Sequence, residues 1–142
     1  MDSLDIRFRG FKESDRNMIL SDWLRSHQDG GDWPHLMRAR DYYDVHKHAV
    51  AKFLDTSETI LAVDPEDEDH VFGWLVHSGL TLHYMFTRRL FRRAGVARRL
   101  FDVMRGGHFG DAVCSHWTHG ASTLRQRGFP LRYYPFFHGA FA

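Results

Sequence analysis

The sequence predicts a mixed α/β domain, a mostly antiparallel sheet with helices on both of its faces. Three observations carry that expectation. Short segments of strand type, apolar on alternate residues or apolar throughout, recur along the chain. Between them lie segments whose apolar residues repeat every three to four positions, as on one face of a helix. The two types follow one another in the order β-α-α-β-β-β-α-β-α-β, with short turns between the three consecutive strands in its middle.

The first strand is read in LDIRFRGF (4–11), where Leu4, Ile6 and Phe8 alternate with Asp5, Arg7 and Arg9. Ser14 offers an N-cap, and Ile19, Leu20, Trp23 and Leu24 then recur at helical spacing up to Gly30-Gly31. Asp32 to Met37 reads as a loop through Trp33-Pro34. A second helix is expected from Arg40 to Leu54, with Tyr42, Val45, Ala49, Val50 and Phe53 on one face. TILAV (59–63), HVFGWLV (70–76) and LTLHYMFT (80–87) read as an antiparallel meander, joined by the acidic turn DPEDED (64–69) and by Ser78-Gly79. A helix from Gly95 to Met104 presents Val96, Leu100, Val103 and Met104 on one face and ends at Gly106-Gly107. DAVCS (111–115) is the next strand, 119–127 a short helix closed by Gly128, and LRYYPFF (131–137) a last strand with Pro135 near an edge or bulge.

The 142 residues fit one domain spanning 1–142. Apolar residues make up 43% and aromatics 15%, enough for a packed core and too much for a disordered chain. The formal net charge of +1 argues against a global pull on nucleic acid or membrane, so any basic site must be local. Cys114 is the one cysteine and has no intrachain partner, so nothing calls for an oxidising compartment. The start, MDSLDIRFRG, lacks the apolar region of a signal peptide. No apolar run approaches the roughly 20 residues of a membrane span. The expectation is a soluble cytoplasmic protein.

Charge is concentrated in one place. Residues 87–99, TRRLFRRAGVARR, hold six arginines around Gly95. Such a cluster suits a nucleic-acid patch, a solvated helix face, or a loop that cradles a phosphorylated ligand. The residues Arg92-Arg93-Ala94-Gly95-Val96-Ala97 decide which is expected. They match the Arg/Gln-x-x-Gly-x-Gly/Ala motif, and they lie between the fourth strand and the third helix. Gly73-Trp74 in the third strand and Gly128-Phe129 after the fourth helix stand at further characteristic places. On these residues and on the element order, which matches over nearly the whole length, the chain resembles the GCN5-related N-acetyltransferase family.

The resemblance implies a sheet splayed between strands 4 and 5, with acetyl-CoA as co-substrate and its pantetheine in the gap. It implies backbone contacts to pantetheine from Met85, Phe86 and Thr87. It also implies a pyrophosphate site at Arg92, Arg93, Ala94, Gly95, Val96, Ala97 and Arg98. The physics agrees. A loop entering a helix offers unpaired N–H groups at the positive end of the helix dipole. Gly95 has no side chain to hold a phosphate away, and arginines add diffuse positive charge.

The implied activity is transfer of an acetyl group from acetyl-CoA to a primary amine. The family often carries an acidic base on the fourth strand, but the corresponding position is near Thr81. His83, two residues on and by strand alternation on the same face as Thr81 and Met85, has a suitable pKa for the base; the competing reading, and the one favoured, is a packed or hydrogen-bonded strand histidine. The family's frequent tyrosine acid corresponds to Leu124, and its asparagine at the start of the fourth helix to Trp117. Tyr84, Tyr133 or Tyr134 could stand in as the acid, or serve as structural aromatics. These departures keep open an alternative: a non-catalytic accessory or nucleic-acid-associated protein of the same fold, for example of phage type. Trp33, Tyr42, Tyr43 and Tyr133 are expected to wall the acceptor side. His46-x-His48 and His116-x-x-His119 lack the further ligands of a metal site, so no metal is expected. Cys114 reads as a small buried hydrophobe.

Overall fold

The computed structural model describes residues 4–30, 34–106, 112–115, 119–128 and 131–133. The strands are β1 (Arg7–Gly10), β2 (Glu58–Asp64), β3 (Asp67–Ser78), β4 (Thr81–Thr87), β5 (Ala112–Cys114) and β6 (Leu131–Tyr133). The helices are α1 (Arg16–Gly30), α2 (Ala39–Thr56), α3 (Val96–Arg105) and α4 (His119–Gln126). The strands form one sheet in sequence order, β1-β2-β3-β4-β5-β6. It is antiparallel from β1 to β4 and parallel from β4 to β6. This is the mixed, mostly antiparallel sheet read from the sequence. Among the described residues, no helix is long and apolar enough to cross a membrane.

Two apolar layers sandwich the sheet. On one face α1 and α2 contribute Ile19, Trp23, Tyr42, Val50 and Phe53, which meet Trp74 and Val76 of β3 and Tyr84 of β4. On the other face α3 contributes Val96, Leu100, Phe101 and Met104, packed on Phe72, Leu75 and Leu82. Leu4, Ile6 and Phe8 join that second cluster, as their alternation predicts, and Leu124 of α4 packs there too.

Four local readings are corrected. Ser14 does not cap α1; it lies inside a 3-10 turn (Glu13–Asp15), where the Asp15 carboxylate accepts the Lys12 N–H at 2.8 Å. That carboxylate also takes two hydrogen bonds from Arg9, at 2.8 and 2.9 Å, and this charged fork fixes the chain's entry into α1. Burial works against charging Asp15, but the Arg9 and Lys12 hydrogen bonds prevail and hold its pKa below the usual carboxylate value. On α2 the buried stripe runs through Tyr42, Val50, Phe53 and Leu54 with His46 half-buried between them, while Val45 and Ala49 are exposed. On α3, Val103 is exposed and Phe101 takes its place in the core. The acidic turn is only Pro65-Glu66: β2 and β3 continue to Asp64 and Asp67, which pair, and the Asp64 carboxylate accepts the Glu66 N–H at 2.9 Å. Solvent on both faces of this tip lets acidic residues occupy the ladder at little cost.

Candidate functional site

The arginine-rich connection leaves β4, makes a 3-10 turn at Arg89–Phe91 that the sequence pattern did not disclose, and enters α3. Two residues in it are left-handed, Arg93 with φ 66° and Gly95 with φ 82°. Positive φ is uncommon for a residue with a Cβ and ordinary for glycine, which accounts for Gly95. A Cβ on Gly95 would meet no atom within 4 Å, so the space beside this turn is open. Gly95 is the N-cap of α3 and has no side chain of its own to cap the helix. The first bond of the helix runs from Arg99 N–H to Gly95 O at 3.0 Å. The amides of Val96, Ala97 and Arg98 therefore belong to the first turn, where a helix has no internal acceptors and its dipole favours an anion. Arg92, Arg93, Ala94 and Arg98 are exposed around this end. Arg92 Nε donates to Thr87 O at 3.2 Å and ties the loop back to β4.

Close packing sets the loop's position. Gly73 of β3 lies opposite Thr87. A Cβ there would stand 2.6 Å from Phe86 O, 3.1 Å from Val96 Cγ1 and 3.3 Å from Thr87 Cα. Only glycine lets β3, the end of β4 and the start of α3 converge at this point.

The next feature is the open edge of β4. β4 and β5 pair, among the described residues, at Thr81–Val113 and Leu82–Cys114, with Val113 N–H and Ser115 N–H donating to Leu80 O and Leu82 O. Among the described residues β4 then runs on to Thr87 without a strand on that side. Arg88 N–H donates to Phe72 O at 2.9 Å. The alternation of an antiparallel ladder then turns the backbone groups of Phe86 toward β3 and those of Met85 and Thr87 toward the open edge. The near contact of Phe86 O with Gly73 and the Arg92–Thr87 O bond agree with that assignment.

A β-bulge sits where pairing with β5 stops. Val76 pairs with Tyr84 and His77 with Leu82, so His83 is an extra residue on β4. The bulge resets the side-chain alternation. His83 does not share a face with Met85, as strict alternation would require. Met85 packs on the α3 side, whereas the His83 ring lies 4.6 Å from Phe53 on the α2 side. His83 is only 1% exposed, with Nδ1 2.8 Å from Ser115 Oγ and Nε2 2.9 Å from Ser78 Oγ. The adjacent Tyr84 also faces the helices, stacked on Trp23 at 4.8 Å with its hydroxyl 2.9 Å from Ser26 Oγ. Burial pushes its phenol up to about 12, so the hydroxyl keeps its proton at neutral pH. The sequence places Ser78 in a turn and Ser115 at the end of a strand but gives neither a role, because a lone hydroxyl carries no pattern.

Other candidates fall into place. Cys114 is buried, and its burial pushes the thiol up to about 11, which suppresses the nucleophilic thiolate. Tyr42 is fully buried and donates to Leu24 O at 2.7 Å, so it supports α1 against α2 and does not present a free surface. Tyr43 is half-buried and donates to Gln28 Oε1, and Tyr133 is exposed at the end of β6. His46 stacks on Tyr42 and His27, at 4.9 and 5.8 Å between ring centroids. Among the described residues no group of three metal-ligating side chains converges. Trp33, His116, Trp117, Phe129, Tyr134 and Pro135 lie outside the described residues. Beside the loop runs an open groove of about 870 Å³, between Asp5, Asp64 and Glu66 on one side and Arg92 and Arg93 on the other. Its carboxylates make it a poor seat for a pyrophosphate; the anion-favouring surface is the α3 end of the loop.

Solved structures with a similar arrangement of elements include proteins described as acetyltransferases. A GCN5-related N-acetyltransferase from Rhodopseudomonas palustris superposes with a TM-score of 0.62 at 14% identity, over 90% of this chain and 83% of that one. The apo form of YjaB from Escherichia coli matches with a TM-score of 0.53 at 22% identity, over 71% of this chain. This chain spans 65% of that protein's length. A possible acetyltransferase from Clostridium difficile gives 0.51 at 12% identity, over 71% and 69% of the two chains. No protein-family model matches the sequence, and no curated protein matches it. The likeness lies in the architecture, and by that architecture the chain has the fold of the GCN5-related N-acetyltransferases.

Proposed function

We propose that the chain is an acyl-CoA-dependent N-acyltransferase that moves an acetyl group from acetyl-CoA to a primary amine. One observation carries the reading: the open edge of β4 ends in a left-handed glycine turn that caps α3 with bare backbone. A pyrophosphate at the α3 end would meet the amides from Arg93 to Arg98, with the Arg92 and Arg93 side chains beside it. From there the pantetheine arm would lie along β4, on the backbone groups of Met85 and Thr87 with Phe86 between them. The thioester would then come toward the bulge at His83, where β4 and β5 still pair. His83 is the proposed base, and Tyr84, next to it on β4, the proposed acid. Positioning of amine and thioester supplies much of the rate, with proton transfer adding roughly 10²- to 10⁴-fold.

Thiol release from acetyl-CoA, measured across a panel of primary amines, tests the reading. The expected result is amine-dependent release that Gly95→Asn suppresses. Asparagine tolerates the left-handed backbone yet places an amide in the anion's space. A folded protein that releases no thiol with any amine and does not bind CoA would contradict the proposal. That result would favour the non-catalytic alternative, for which Leu124 speaks by packing an aliphatic side chain where relatives often hold a phenol.

A further inference from the structure

Four polar side chains from four separate parts of the chain meet in a line. Ser57 follows α2, Ser78 ends β3, His83 is the bulge of β4 and Ser115 follows β5. Ser115 Oγ lies 2.8 Å from His83 Nδ1, and Ser78 Oγ lies 2.9 Å from His83 Nε2. Ser78 Oγ donates onward to Ser57 Oγ at 3.4 Å. Ser115 and His83 are buried, whereas Ser78 and Ser57 are half-buried, so the line runs from the interior to the surface. Its inner end stands where β4 and β5 part company.

We infer that Ser115, His83 and Ser78 form a proton relay between the inner end of the β4–β5 gap and solvent at Ser57. The inference rests on the transferase reading for its purpose. A neutral imidazole has one donor and one acceptor nitrogen, and a hydroxyl both donates and accepts. All the links can therefore reverse together while the ring changes tautomer, and no charge stays behind. Acetylation of an ammonium group needs such a path. The ammonium gives one proton to Ser115 Oγ, whose own proton passes to His83 Nδ1. The Nε2 proton of His83 passes to Ser78, and the Ser78 proton leaves through Ser57 or water. The neutral amine then attacks the thioester carbonyl, the N–C bond forms and the C–S bond breaks. The second amine proton goes to the departing thiolate, so one proton in total reaches solvent. Ser115 is the group that meets the acceptor; His83 and Ser78 act through it.

Proton exchange at the His83 ring tests the relay without any acceptor. The full chain is labelled with 15N-histidine, and the His83 ring N–H is assigned by its loss in His83→Gln, or by its shift in Ser115→Ala if that variant does not fold. Exchange with water is expected to be far faster than that of the β3 amides despite the ring's burial. Ser78→Ala should slow it by about tenfold or more, and Ser78→Thr, which keeps the hydroxyl, should restore it. A ring N–H as protected as the β3 amides, or a rate that Ser78→Ala leaves unchanged or raises, overturns the relay. In the amine assay Ser115→Ala should lower turnover about 10²-fold with CoA affinity unchanged. Absence of CoA binding in the wild type would overturn the transferase reading itself. Slow ring exchange with CoA binding intact would overturn the relay alone.

Discussion

Replacing Gly73 with alanine tests whether one missing side chain positions the whole loop. The added Cβ would lie 2.6 Å from Phe86 O, a backbone atom that no rotamer change can move aside. It would also crowd Val96 Cγ1 at 3.1 Å, the first residue of α3. Overpacking of this kind costs about 1–3 kcal/mol. Alanine stiffens the unfolded chain and returns about 0.4–1 kcal/mol of that. The net loss should be roughly 1–2 kcal/mol, or about 3–8 °C in Tm for a chain of this size. Because the same atoms hold Thr87, and Arg92 bonds Thr87 O, the strain should reach the anion site and weaken CoA binding as well. Differential scanning fluorimetry and a CoA titration of Gly73→Ala read both effects. Adding Val96→Ala should recover little, since the shorter contact is with backbone. A change in Tm below about 1 °C, or full recovery by Val96→Ala, would refute the reasoning.

Two further predictions concern the scaffold. Asp15→Asn should destabilise the protein by roughly 1–3 kcal/mol in a urea titration, because it removes the carboxylate that pairs with the largely covered Arg9 guanidinium and leaves Glu68 and Asp69 as its remaining acidic neighbours. The folded-state pKa of Asp15 is lowered, so its contribution is full above about pH 4 and fades as pH falls through the folded value. The acid-unfolding curve of Asp15→Asn should accordingly be flatter in that range. Cys114, with its thiol pushed up to about 11, should react with a disulfide reagent far more slowly in the native state at pH 8 than after denaturation. Rapid native labelling would contradict the buried placement.

Local pattern carried most of the architecture. The alternation in LDIRFRGF, the 3.6-residue rhythm of VARRLFDVMR and the position of Gly95 each report a requirement met within a few residues. What stayed hidden depends on partners far along the chain. Val45 and Val103 look like core residues by spacing, yet both are exposed, and His46 and Phe101 are buried more deeply. The bulge at His83 cannot be read from LTLHYMFT, which alternates normally; it exists because β3 pairs Val76 with Tyr84 and His77 with Leu82. Ser78 and Ser115 acquire meaning only when three strand ends meet around that bulge. The Arg9–Asp15 fork likewise joins a strand residue to a turn that neither segment's pattern foretells.

The central claim is that the α3 end of the Arg92–Ala97 loop binds the pyrophosphate of CoA. Isothermal titration of CoA into wild type and into Gly95→Asn measures it directly. The account predicts saturable one-to-one binding by the wild type, with a native-state stabilisation of about 2.7 kcal/mol at 100 times Kd. It predicts affinity lowered at least about tenfold in folded Gly95→Asn, the loss of about 1.4 kcal/mol of contact. Equal affinity in the two proteins, or no heat of binding in either at millimolar CoA, would contradict it.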